Sequence, residues 1–237
     1  MKPPVKTSQA PTRPRTRRTT QRLVSGLDAP QDIRDAVMRL KRERIVAAAV
    51  DLFYHQGYAG TTLEQVADAI QVTKPFIYQY FKSKTELLAE ICVRGIFESH
   101  AAFNRAMEME GTPTQRLRVV AHDFMLAVLS HQANAVIYSR EEKELAPQDR
   151  DRMNAMRREF DHKLVALLEQ GVKLGEFQVD DLHLTALAIV GIVGWSQVWY
   201  RAGGRLSREE ASEKVAGLVL AMVRAAPATR KRVTQRA

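Results

Sequence analysis

From about Val37 onward the apolar residues of this chain recur every three or four positions. Leu40, Ile45, Val46, Ala49, Leu52 and Phe53 fall on one side of a helix that Gly57 is placed to stop. Thr61 and Thr62 each precede Glu64 or Gln65 by three, the reciprocal pattern that satisfies orphan backbone N–H groups, and Leu63, Val66, Ala67 and Ile70 give the next helix its apolar face. Residues 71–73 break the period, and Pro75 suits the first turn of a short third helix, where no N–H is needed. Ser83 to Glu86 is a further capping box, opening a helix through Leu87, Leu88, Ile91 and Ile96 towards Phe103. The same period predicts helices from Pro113 through Val128, from Ala135 to Leu145, from Asp149 to Leu174 and from Asp180 to Arg201, and a last one from Ser207 through Val215, Leu218, Val219 and Met222. No strand-like alternation bounded by hairpin turns occurs. The expected fold class is all-α, with about nine helices.

Charge sharpens this outline. The chain is +9 overall, yet residues 1–22 hold seven Lys or Arg and no acid, and residues 224–237 hold five and no acid, so the middle is slightly acidic. Residues 1–35 read as a flexible basic arm, since Pro, Thr, Arg and Lys cannot bury enough apolar surface to offset the entropy of ordering. With 45% apolar residues the rest can build a real core. A lone cysteine, Cys92, excludes an internal disulfide, and a cytoplasmic setting fits. The basic N-terminus has no apolar run behind it to make a secretory signal. The most apolar stretch, residues 184–195, is shorter than the ~18 to 20 residues that a bilayer requires, so no membrane partner is expected.

The chemistry concentrates in "VTKPFIYQYFKSK", residues 72–84, where Phe76, Tyr78, Tyr80 and Phe81 stand among Lys74, Lys82 and Lys84. A helix, a three-residue turn and a second short helix is the geometry that places the second helix in the DNA major groove. So short a helix is unstable alone, so Ile77 and Phe81 are expected to anchor it. That leaves Lys74, Pro75 and Gln79 toward base edges and Tyr78, Tyr80 and Lys84 toward phosphates.

These residues carry a resemblance. "TTLEQVADAIQVTKPFIYQYFKSKTEL" resembles the DNA-binding signature of the TetR family of bacterial transcriptional regulators, densely over residues 43–88. The resemblance makes Thr62 the helix cap that contacts the DNA backbone, Tyr78 and Lys84 phosphate contacts, and Lys74, Pro75 and Gln79 base readers. Two positions depart from the pattern: Gln71 stands where the family usually has its turn glycine, and Pro75 where glycine is common. The implied organisation is a helix-turn-helix domain over 36–83, a ligand-binding and dimerisation domain over 84–226, and a basic tail over 227–237. The implied function is a repressor that binds a palindromic DNA operator as a homodimer and is released by a small-molecule effector.

Beyond residue 84 the sequence is less specific. The helix at 184–195 is apolar nearly all round, which suits either a dimer interface shared with the final helix or a fully internal core helix. Trp195 and Trp199, four apart, share a face, and "YSREEKEL" and "GWSQVWYRAGGRLS" resemble the acyl-CoA-responsive branch of the family, which senses thioesters from lipid, steroid or aromatic-acid breakdown. On that resemblance Phe124, Val128, Tyr138, Arg140, Trp195 and Trp199 are candidates for an effector pocket whose filling shifts the helix from Ser83 to Phe103. The plainer reading of the two tryptophans is interface or core. No histidine pair at metal spacing, phosphate loop, GxSxG or CxxC occurs, so no catalytic residue, metal or cofactor is expected and the chain does not read as an enzyme. The alternative reading is a helical interaction protein that binds acidic partners through basic tails.

Overall fold

The structure, a computed structural model, describes residues 30–224, so the basic termini, with most of the expected arm and all of the tail, lie outside the described residues. The described chain divides into two units, one ending at Arg42 and the other beginning at Glu43. Among the described residues all regular structure is helical: α1 Pro30–Gly60, α2 Leu63–Ala69, α3 Lys74–Tyr78, α4 Lys84–Glu108, α5 Pro113–Ser130, α6 Gln132–Glu141, α7 Pro147–Lys173, α8 Leu182–Gly194, α9 Ser196–Trp199 and α10 Arg208–Arg224. A short 3₁₀ turn, Glu142–Glu144, joins α6 to α7.

The helix α1 begins at Pro30, so residues 30–35, grouped with the flexible arm on composition, are helical; proline suits a first turn and Asp32 sits at the positive end of the helix dipole. At its other end α1 is interrupted at Gly57, whose φ of 78° lies in the left-handed region that glycine enters without a Cβ clash. The expected single helix from Asp180 to Arg201 is two. Asp181 caps α8 by accepting the Leu184 N–H at 3.0 Å, and a turn at Trp195 separates α8 from the one-turn α9.

Two apolar clusters hold the second unit. One lies under α2 and α3 and gathers Ile45, Phe53, Val66, Ile77, Phe81, Leu87, Leu88, Ile91 and Cys92 with Ile137, Leu145 and Met153. It continues across residue 84 into α4, α6 and α7 rather than closing at the end of the helix-turn-helix. The other fills the C-terminal helices, where α5 packs most extensively on α10 and α4. Its centre is aromatic: the Phe160 ring stands 4.2 Å from Phe103 and 4.8 Å from Phe124, centroid to centroid.

The apolar window around α8 extends over Leu182–Trp199, 18 residues, long and apolar enough by composition to cross a bilayer. Only 22% of that window is buried: Ala186, Ile189 and Val193 are core residues, whereas Leu184, Leu187, Trp195, Val198 and Trp199 are exposed, and the helix is interrupted at Trp195.

After α7 the chain folds back so tightly that Phe177 covers Gly171. A Cβ at position 171 would stand 1.9 Å from the Phe177 ring, and the Phe177 N–H also donates to the Gly171 carbonyl at 3.1 Å. Gly171→Ala is expected to lower stability by about 1–3 kcal/mol through overpacking, read as a drop in the thermal midpoint. An unchanged midpoint would show that the turn yields freely.

Candidate nucleic-acid interface

The reading head is built from a cap, a turn and an anchor. Thr62 caps α2: its hydroxyl accepts the Gln65 N–H at 3.2 Å and the Gln65 amide oxygen accepts the Thr62 N–H at 2.7 Å. The chain then turns through Gln71, the only non-glycine residue with positive φ among the described residues, at 58°. A left-handed residue with a Cβ costs about 1–2 kcal/mol, so the glutamine that replaces the family's usual glycine holds a strained turn. Arg44 braces its start by donating to the Ile70 carbonyl at 3.2 Å. Next, α3 puts Ile77 and, just beyond it, Phe81 fully into the core, and leaves Pro75, Tyr78 and Gln79 exposed on the opposite side. Tyr80 is half-buried, its ring 5.2 Å from that of Phe76.

Two lysines are placed differently from one another. The Lys74 ammonium pairs with the Glu64 carboxylate on α2 and lies 5.9 Å from the Tyr78 ring. The hydrogen bond between them lowers the Glu64 pKa and raises that of Lys74, so both stay charged at neutral pH. A base edge must compete with Glu64 for this ammonium. Lys84 points inward: its ammonium donates to the Tyr58 and Thr61 carbonyls at 2.7 and 2.8 Å and stands 4.2 Å above the Tyr58 ring. Beside the phosphate contact expected of it, Lys84 thus ties the start of α4 to the end of α1.

The six candidate effector residues do not converge. Phe124 belongs to the C-terminal aromatic core, and Val128 is half-buried against it. Tyr138 packs on the other cluster beneath Arg157, whose guanidinium lies 4.8 Å from its ring, and its hydroxyl is buried without a partner. Trp195 and Trp199 are exposed. Only Arg140 lines a cleft, of about 490 Å³, together with Tyr54, Gln132, Ser139, Gln197 and Arg201 among others. Most of these were not legible from spacing, because they come from the end of α1, α6 and the α9 turn. Cys92 is a buried core residue; burial pushes its thiol up to about 12, with Glu142 and Glu141 adding to the shift, so it is unreactive at neutral pH.

Comparison with known proteins places this geometry. Residues 45–91 match the family described as "Bacterial regulatory proteins, tetR family", and residues 110–223 match "Tetracyclin repressor-like, C-terminal domain". The chain belongs to the TetR family. Its members are DNA-binding transcriptional regulators and not enzymes. The transcriptional repressor KstR2 of Mycobacterium tuberculosis is 28% identical over 183 residues, which is 76% of this chain and 91% of that protein. The solved structure of that ketosteroid regulator superposes with a TM-score of 0.72 at 25% identity, covering 78% of this chain and 96% of the other. PfmR from Thermus thermophilus gives 0.71 at 29% identity, covering 75% and 97%.

Lys84→Met, which keeps the stem and deletes the ammonium, is expected to lower stability by about 2 kcal/mol, since it leaves two carbonyls at the end of α1 without their charged donor. The check is chemical denaturation without DNA. A residue serving phosphate alone would leave the midpoint where it is.

Proposed function

We propose that this chain is a transcriptional repressor that binds a two-fold-symmetric operator as a homodimer in the bacterial cytoplasm and leaves it when a small amphipathic acid binds. What carries the reading is α3, anchored by Ile77 and Phe81 with Pro75, Tyr78 and Gln79 free on the outer face, within a chain matched by both TetR-family domains. Tyr78 and the α2 start at Thr62 serve the phosphate backbone, while Pro75 and Gln79, with Lys74 when released from Glu64, read base edges. Tyr80, half-buried, steadies Phe76 and reaches phosphate only at the edge of the contact. The domain that reads DNA is residues 36–83, and the remainder up to 226 carries dimerisation and effector binding.

The two-fold partner is a second copy set against α8 and α10. Leu184, Leu187, Trp195 and Val198 fall at intervals of three, eight and three along one exposed side, and Leu218 on α10 is equally exposed. A stripe of that size on a chain of this family suits a self-complementary interface. The effector we assign to the acyl-CoA class. The sequence resemblance, the KstR2 relative described as a ketosteroid regulator and the two arginines at the cleft support it.

In gel shifts on DNA upstream of the protein's own gene, with competitor present, one fragment should be retarded selectively. Tyr78→Phe is expected to weaken all sequences alike, whereas Gln79→Ala alters which bases are preferred at one position by about 1–3 kcal/mol. Binding that never exceeds competitor DNA would remove the reading. Leu187→Glu is expected to shift the sedimenting species to a monomer and to lose operator binding with it, because paired half-sites about 34–36 Å apart need two heads. A dimer that survives the charge would place the interface elsewhere.

A further inference from the structure

The cleft and the break in α1 share a residue. In an unbroken helix the Tyr54 carbonyl would accept the Tyr58 N–H. At the Gly57 kink both groups are met by consecutive residues of α6: Arg140 Nη1 donates to the Tyr54 oxygen at 3.4 Å, and Glu141 Oε1 accepts the Tyr58 N–H at 3.3 Å. The two side chains stand in for the missing rung of the helix. Both bonds are long, and Arg140 is exposed.

The same guanidinium lines the cleft between α6 and the α9 turn. Across it lies Arg201, whose Nη1 is bonded to the Val198 and Tyr200 carbonyls of its own turn. Gln132 pins that turn by donating to the Gln197 and Tyr200 carbonyls at 2.9 and 3.1 Å. The Gln197 side-chain oxygen is buried with no hydrogen-bond partner. The cleft therefore offers two cations and the apolar flanks of Val136 and Val198, within the size range of small-molecule sites.

We propose that this cleft binds a small amphipathic anion and that the anion opens the clasp of Arg140 and Glu141 on the end of α1. This rests on the regulator reading above and locates effector control at α1, where the sequence had pointed to α4. A carboxylate or phosphate oxygen takes a guanidinium at about 2.7–2.9 Å in a bond roughly twice as strong as one to a neutral acceptor, so a carbonyl at 3.4 Å loses Arg140 to it. With Arg140 drawn away, Tyr58 is held from α6 by Glu141 alone. Tyr58 leads within four residues to Thr62, the cap of α2, so slack at the clasp reaches the helix against which α3 is set.

The test uses the full-length protein and two probes: decanoate, whose carboxylate is its only charge, and decanoyl-coenzyme A, whose charge is on phosphates, with 1-decanol as the uncharged control. Both tryptophans of the chain lie at the α9 turn, so intrinsic fluorescence reads occupancy. At least one anion is expected to saturate the wild type and to bind at least tenfold more weakly to Arg140→Gln and to Arg201→Gln, with 1-decanol indifferent to both. Which anion does so distinguishes carboxylate from phosphate as the recognised group. Hydrogen exchange over residues 54–61 should speed up when the anion is bound to the wild type and be fast already in unliganded Arg140→Gln. Absence of binding by both anions, equal affinity in wild type and variants, or exchange at 54–61 indifferent to the anion overturns the proposal. Neither readout uses DNA, so a failed gel shift would sink the regulator reading and leave this result standing.

Discussion

The reading head depends on how the C-terminal end of α1 is held after the chain breaks at Gly57. A helix end leaves carbonyls unpaired and carries partial negative charge. Here cations from two directions answer it: Lys84, from the first residue of α4, takes the Tyr58 and Thr61 carbonyls, and Arg140 of α6 takes that of Tyr54. The Thr61 hydroxyl donates to the Gly57 carbonyl at 2.9 Å, and the Tyr58 and Thr85 hydroxyls meet at 3.0 Å. Four residues, Gly57 to Gly60, thus form a joint to which α1, α2, α4 and α6 are all tied. A short α3 that cannot fold alone inherits its orientation from this joint, through α2 and through Phe81 next to the α4 cap.

That dependence explains what spacing alone revealed. Local signals were legible: the Thr62–Gln65 box, the Ser83 cap, the Gly57 stop and the exposed–buried alternation of Tyr78, Ile77 and Phe81 are written within a few residues of where they act. Gln71 was legible as a departure from the family's turn glycine, and its φ of 58° shows what that departure entails. Lys84 was not readable in the same way. A lysine beside a helix start suits phosphate or a carbonyl equally well, and only the approach of Tyr58, twenty-six residues earlier, decides. The effector candidates lie apart in the fold for a related reason. A helical period says that Trp195 and Trp199 share a side, but not whether that side meets the core, a partner or a cavity, and both prove to be exposed.

Electrostatics on the described surface give the head a restrained character. Lys74, the one lysine on α3, is neutralised by Glu64 at rest, and the half-buried Lys84 is spent on carbonyls. Acid-free runs of cations stand at the ends of the sequence, seven Lys or Arg before residue 23 and five from residue 224 onward.

The C-terminal helices show why such a chain needs more than a reading head. An aromatic core joins Phe103, Phe124 and Phe160, the Phe160 ring centre standing 4.2 and 4.8 Å from the other two. An open cleft lies beside the α9 turn, just past Trp195. The end of α9 at Tyr200 leaves the Gln197, Val198 and Tyr200 carbonyls for Gln132 and Arg201, as the Gly57 kink leaves the Tyr54 carbonyl for Arg140, so two helix ends present backbone acceptors at this cleft.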